Sequence, residues 1–195
     1  MKKLTPWIVC LGIIAIVALW AMNVYNSLVE KEEEVESAWA QVENQYQRRA
    51  DLIPNLVETV KGYATHENET FVLVTEARSK ATHISIDPAN ATPEQLAAYQ
   101  AAQGELSQAL GRLLALAESY PDLKANENFR DLQAQLEGTE NRCTVARQVF
   151  NEAARQFNVL VRRFPGNIIA SFCGFEKKPY FEAEEGAHKA PQVHF

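Results

Sequence analysis

The run Gln47-Arg48-Arg49-Ala50-Asp51-Leu52-Ile53-Pro54-Asn55-Leu56-Val57 gathers three charges and a proline in the middle of a helical pattern. Arg48 and Asp51 are three apart, a spacing that lets them meet on one helix surface. Pro54 brings no amide hydrogen, so it frees the carbonyl four residues earlier, that of Ala50. A freed carbonyl beside two guanidiniums, with polar Asn55 next to the proline, supports two readings. One is a salt bridge at a kinked helix, and the other is a recognition patch for a partner or a neighbouring subunit. Arg48, Arg49, Asp51, Pro54 and Asn55 are therefore read as a contact or bending point.

Other chemistry is sparse. His66-Glu67 opens like a zinc-protease HExxH motif, but Thr70 stands where the second histidine belongs. His83, His188 and His194 have no assignable ligand partner. The three cysteines, Cys10, Cys143 and Cys173, form neither a CxxC pair nor a zinc pattern. Cys143 and Cys173 are read as packed thiols, with a disulfide between them as the alternative in an oxidising compartment. No phosphate loop, dinucleotide fingerprint or G-x-S-x-G elbow occurs. No cofactor, metal or catalytic residue is expected, and the chain is read as a non-enzyme.

The charge balance narrows the partners. Formal net charge is −6 over 195 residues. An acidic chain without a basic patch is poorly suited to a phosphate backbone, so nucleic acid is not an expected partner. The run Glu30, Glu32, Glu33, Glu34 and Glu36 reads as a solvated face.

Stepping N-terminally, Trp7 to Met22 reads WIVCLGIIAIVALWAM and carries no charge. With its flanks the segment reaches about 22 residues, enough to span a bilayer as a helix. Trp7, Ile8, Ile14, Leu19 and Trp20 belong to this segment, and Trp7, Trp20 and Tyr25 sit where interfacial aromatics sit. No small-x-small site follows, so the segment reads as an uncleaved anchor rather than a signal peptide. Lys2 and Lys3 precede it. By the positive-inside rule they put the N-terminus in the cytoplasm and the domain outside, with a cytoplasmic domain as the alternative.

Beyond the anchor, apolar residues recur by threes and fours at Val35, Ala38, Trp39, Val42, Tyr46, Ile53, Leu56, Val57, Val60, Tyr63 and Ala64. Glu32 and Arg48 are among the residues assigned to the wet face between them. Unbroken from Asn26 to Lys80, this helix would be about 80 Å long. A bend near Pro54 or a break between Ala64 and Glu69 is expected instead. Thr92-Pro93 with Gln95 predicts a capping box that starts a helix running to about Ser119. A turn at Pro121–Lys124 leads to a last long helix over about Glu127–Arg163, antiparallel to the one before it. The tail is rich in aromatics, so it is expected to pack on the bundle, with a short helix near Ile168–Phe172. Extended segments are expected around Tyr180-Phe181 and Val193–Phe195.

The pattern is all-α. An N-terminal transmembrane helix (1–25) leads to an elongated antiparallel bundle of three to four long helices (26–175) and an ordered aromatic tail (176–195). Several pieces carry a resemblance: Tyr25-Asn26-Ser27-Leu28-Val29, Ala38-Trp39-Ala40-Gln41-Val42-Glu43, Gln47 to Val57, and Val60-Lys61-Gly62-Tyr63-Ala64-Thr65-His66-Glu67. Phe157-Asn158, Phe164-Pro165, Gly174-Phe175, Tyr180-Phe181 and Pro191-Gln192-Val193-His194-Phe195 complete it. In this order they resemble the LemA family over nearly the whole chain. The resemblance implies a single-pass bacterial membrane protein with an antiparallel helical bundle and no established reaction. One topology assigned in that family puts the domain in the cytoplasm. The expected partners are the lipid bilayer, a second copy of the chain in a homo-oligomer, and a membrane or envelope protein. The functional expectation is a membrane-anchored scaffold or interaction protein. An accessory protein that binds peptide or metal beside a membrane enzyme or protease is the alternative.

Overall fold

The computed structural model describes residues 5–182, with side chains from residue 7 onward. The expected segment around Val193–Phe195 and the histidines His188 and His194 lie outside the described residues. Helix α1 runs from Thr5 to Lys61, 57 residues without interruption. At 1.5 Å per residue that is about 85 Å, so the apolar segment and the first bundle helix are one rod.

Within the bundle, the buried positions of α1 include Leu28, Val35, Trp39, Val42, Tyr46, Arg49, Ile53, Leu56 and Val60, with Ala38, Ala50 and Val57 buried beside them. From Val35 onward the first set steps by four and three in alternation, a heptad seam that Ala38, Ala50 and Val57 widen. The matching seam on α5 (Glu127–Arg162) is Phe129, Leu136, Thr139, Cys143, Ala146, Phe150 and Phe157. Two matching seams let two helices lie along each other, and α1 and α5 make the closest and longest backbone pairing in the fold.

Pro54 sits inside α1 without ending it. The carbonyl it frees, that of Ala50, accepts a hydrogen bond from Arg78 Nε at 2.8 Å. A lost intrahelical bond is thus replaced by a bond to another helix, which is why a proline is tolerated here. The helix ends at Gly62–Glu67, where Tyr63 N and Ala64 N fold back on the Val60 carbonyl and buried Ala64 anchors the turn. This break at residues 62–67 overlaps the one expected between Ala64 and Glu69.

Helix α2 (Asn68–His83) pairs with α3 (Pro93–Leu116) as the second layer. The capping box forms at the start of α3: Gln95 N donates to Thr92 Oγ1, and Thr92 N donates to Gln95 Oε1. A 3-10 turn at Ala117–Ser119 follows. The connection expected as a turn is a short helix, α4 (Pro121–Ala125), with its proline in the first turn. Antiparallel α3 and α5 meet through large side chains, including Leu110, Leu113, Phe129 and Leu136, rather than by close backbone approach. The tightest pairings are α1 with α5 and α2 with α3.

Helix α6 (Gly166–Cys173) lies beside the start of the bundle. Gly174 ends it with φ +79°, a left-handed conformation that suits glycine and turns the chain into the tail. Residues 175–182 follow without regular secondary structure. Among the described residues there is no strand, and 84% of them are helical.

Candidate functional site

The two apolar clusters of the bundle meet at a polar layer. One cluster, near the apolar segment, holds Leu28 to Tyr46 of α1, and the other starts at Ile53. Arg49 lies between them on the seam, 1% exposed. Its Nη1 donates to Glu140 of α5 at 2.5 Å and to Ser107 Oγ of α3 at 2.9 Å. Its Nη2 donates to Gln103 Oε1 at 2.6 Å and to the Gln103 carbonyl at 3.3 Å. Gln103 Nε2 in turn donates to the Ala81 carbonyl at the end of α2. The guanidinium also lies 5.1 Å from the centre of the Tyr46 ring. One planar fork therefore ties the side chains of α1, α3 and α5 and the backbone of α2, a task for which arginine's rigid geometry is suited.

The five residues singled out by sequence separate here. Arg49 turns inward, whereas Arg48, Asp51, Pro54 and Asn55 are exposed. Asp51 accepts from Gln47 Nε2 at 2.7 Å instead of pairing with Arg48. Asn55 offers its carbonyl to Thr59 Oγ1. The sequence reading placed the two arginines together. The heptad separates them, because adjacent residues on a helix point about 100° apart.

A second polar contact on the same seam was missed. Glu32 was placed on the wet face, yet it lies on the seam, three before Val35. Its Oε1 accepts from Lys178 Nζ at 2.6 Å, across 146 residues of sequence. The Lys178 side chain is 4% exposed, also donates to the Ala89 carbonyl, and lies over the Phe157 ring. The signal was available: continuing the three-four count N-terminally from Val35 puts a charged residue on the seam at Glu32, as it puts Arg49 there further on.

The tail containing Lys178 is held by side-chain amides. Asn158 donates to the Lys178 carbonyl and accepts from Lys178 N. Asn151 does the same with Phe181, and Gln100 with Glu182. Each amide supplies one donor and one acceptor to one residue's backbone, which satisfies an irregular segment without a neighbouring strand. Phe181 then stacks on Trp39 at 5.9 Å and meets Phe150 edge-on at 5.4 Å.

Nothing in the layer is poised for reaction. Burial pushes the Cys143 thiol up to about 11, so it stays protonated and poorly nucleophilic at neutral pH. Burial likewise pushes the Tyr46 phenol up to about 12. Cys143 and Cys173 are both free thiols, the first buried and the second exposed, so the packed-thiol reading fits Cys143 and not Cys173. His66 is exposed in the turn after α1, and Glu67 accepts from Tyr120 Oη at 3.2 Å. Among the described residues no three His, Cys, Asp or Glu side chains gather as metal ligands would.

The outer side of the α1–α5 pair differs in character. A groove of about 750 Å³ runs there, floored by Ala38, Val145, Val149 and Ala153 and rimmed by Glu30, Glu33, Glu34 and Glu152. Val145 is 58% and Val149 44% exposed, two apolar side chains on one open helix face. Glu34 is paired with Lys31, and Glu152 with Arg155, whose hydrogen bonds hold the Glu152 carboxyl down to about 2.

The LemA family model matches residues 38–195. The chain belongs to the LemA family. Among similar proteins, the magnetosome protein MamQ 1 of Paramagnetospirillum magneticum is 27% identical over 200 residues, covering 94% of this chain and 73% of that protein. MamQ of Magnetospirillum gryphiswaldense gives the same identity and coverage. Protein LemA of Metamycoplasma hominis is 25% identical over 160 residues, covering 82% of this chain and 69% of that protein. The N-terminal part of α1 precedes the family match. It is long and apolar enough to cross a membrane, and none of its most apolar window is buried. Trp7, Ile8, Ile14, Leu19 and Trp20 all point outward from it. This LemA-family chain is a membrane-associated protein.

Proposed function

We propose that the protein is a non-enzymatic, membrane-anchored scaffold that receives a partner helix in the groove between α1 and α5. The observation that carries the reading is the exposed Val145–Val149 stripe of α5, beside Ala153 and facing Ala38 of α1, the helix that continues into the apolar segment. Scattered surface apolar residues need no explanation, but a rimmed apolar groove marks an interaction site. Its glutamate rim fits a helix with an apolar stripe and basic flanks. The partner is a membrane or envelope protein, and lateral self-association through the apolar helix holds more than one copy together. The buried charges at Arg49 and Glu32 hold α5 and the tail against α1 and lie outside the groove lining. Lys2 and Lys3 support an extracytoplasmic bundle. Relatives bearing magnetosome names, rather than enzyme names, support the non-enzymatic reading.

The test is a photocrosslinking amino acid at position 149 in full-length protein in native membranes. The expected result is a crosslinked protein adduct that Val145→Asp abolishes. Absence of any adduct, with a monomeric particle in nanodiscs, overturns the proposal.

A further inference from the structure

Helix α6 has two unlike faces. Ile169 and Ala170 turn inward, packing with Phe175 against the bundle. Ile168 and Phe172, four apart within it, form one outward face, 58% and 91% exposed, and Phe164, just before the helix, is 75% exposed. Phe172 packs on nothing among the described residues. Such a face on a soluble domain is costly to leave in water, since burying one such side chain is worth about 1.5–3 kcal/mol.

The position of this face matters more than its composition. Gly166 faces Val24 so closely that an added Cβ would lie 3.6 Å from Val24 Cγ1. Phe175 lies 5.8 Å from Tyr25, ring centre to ring centre. Val24 and Tyr25 lie two and three residues beyond the apolar stretch that ends at Met22, about 3–5 Å further along the helix axis. From Trp7 to Tyr25 the rod covers about 27 Å, close to the thickness of a hydrocarbon core. With α1 spanning the bilayer, Tyr25 lies at the lipid boundary, and α6 is held against it. Exposed Arg162, Arg163 and Lys177 flank α6, with Glu176 the one acid among them.

We propose that the outer face of α6 lies in the lipid headgroup boundary, as a second membrane contact beside the spanning helix. Phe164, Ile168 and Phe172 enter the acyl edge, and Arg162, Arg163 and Lys177 meet anionic lipid phosphates. An amphipathic helix with basic flanks binds a bilayer surface in this way. A single spanning helix leaves the bundle free to rotate about its axis and to lean. Two contacts at one level fix both, so the α1–α5 groove is presented in one direction along the membrane plane. The inference rests on the membrane span and is independent of what fills the groove.

Spin labelling of the full chain in nanodiscs of phosphatidylethanolamine and phosphatidylglycerol tests it. Cys10→Ser and Cys173→Ser remove the exposed thiols, and buried Cys143 stays unlabelled. Labels are then placed one at a time through Phe172→Cys, Ile168→Cys, Ile14→Cys and Val72→Cys. Collision with oxygen relative to a water-soluble nickel chelate reports depth. At 172 and 168 the ratio is expected several-fold above that at distal position 72 and below that at membrane-core position 14. A ratio at 172 and 168 equal to that at 72, with position 14 still deep, overturns the proposal without touching the span. Shielding of 172 from both reagents also overturns it, since protein rather than lipid then covers the face. Circular dichroism confirms helix content in each variant.

Discussion

In the half of the bundle nearest the membrane segment, Trp39, Tyr46, Tyr99, Phe150, Phe157, Phe175 and Phe181 pack ring against ring. In the far half the core is aliphatic, built on Ile53, Leu56, Val60, Val74, Leu106, Leu113 and Leu123, with Phe71 and Phe129 as its aromatics. The far half is closed by short connections, residues 62–67 and the turn and helix α4 before α5. The near half is closed by residues 175–182, which follow α6. Lys178 returns to Glu32, and Phe181 returns to Trp39. Contacts of that separation form only after their loops have closed. The near half, which the membrane and α6 border, therefore depends on the tail in a way that the far half does not.

Substitutions separate the halves. Phe181→Ala has the largest expected effect, a loss of about 3–5 kcal/mol from a buried ring with aromatic neighbours. Hydrogen exchange should show that loss in α3 near Leu96–Tyr99 and in α5 near Phe150–Phe157, while Val74 and Leu113 stay protected. Uniform loss over both halves would show that they unfold as one unit. Arg49→Ala comes next, at about 3 kcal/mol, because it strands Gln103 in the interior and leaves Glu140 unpaired. Because Glu140 is half exposed, the cost sits at the low end of that range. Arg49→Met keeps the volume and is expected to fold, and denaturant titration of the two variants distinguishes lost charge from lost packing. Asn158→Ala, which orphans both polar groups of the Lys178 backbone, is expected to cost about 1–3 kcal/mol. It should loosen residues 176–182 first, read as faster exchange or proteolysis there.

These effects also mark what could be read from the chain. The apolar steps, the Thr92–Gln95 box and the break after α1 were visible because each is a local pattern with a local cause. The span and the tail's aromatics were visible from composition. The inward turn of Arg49 and Glu32 was not, because Glu32 reads as wet face and Arg49 as one patch with Arg48 until the seam is counted through them. The amide clasps of Asn151, Asn158 and Gln100 join residues 20 to 82 apart. No local spacing announces such a pair. Sequence placed Arg48 and Arg49 in one site, and the fold divides them between water and core.

The smallest effect at neutral pH concerns titration. Burial raises Tyr46 to about 12 from 10.0 and Cys143 to about 11 from 9.0, and raises Tyr99 as well. A group raised on folding contributes its full stability below its unfolded value and loses it as pH climbs to the folded one. All three groups belong to the near half. Stability should therefore be flat near pH 7 and fall between about pH 9 and 12, with the near half opening first. Tyr46→Phe should flatten part of that fall, measured by thermal melts across the range.

The account separates the residues that hold the bundle from those that engage a partner. Crosslinking from position 149 in native membranes, compared between Arg49→Met and Val145→Asp, tests that separation most directly. The account predicts an undiminished adduct with Arg49→Met and none with Val145→Asp, both proteins remaining helical. Loss of the adduct with Arg49→Met and its survival with Val145→Asp would contradict it.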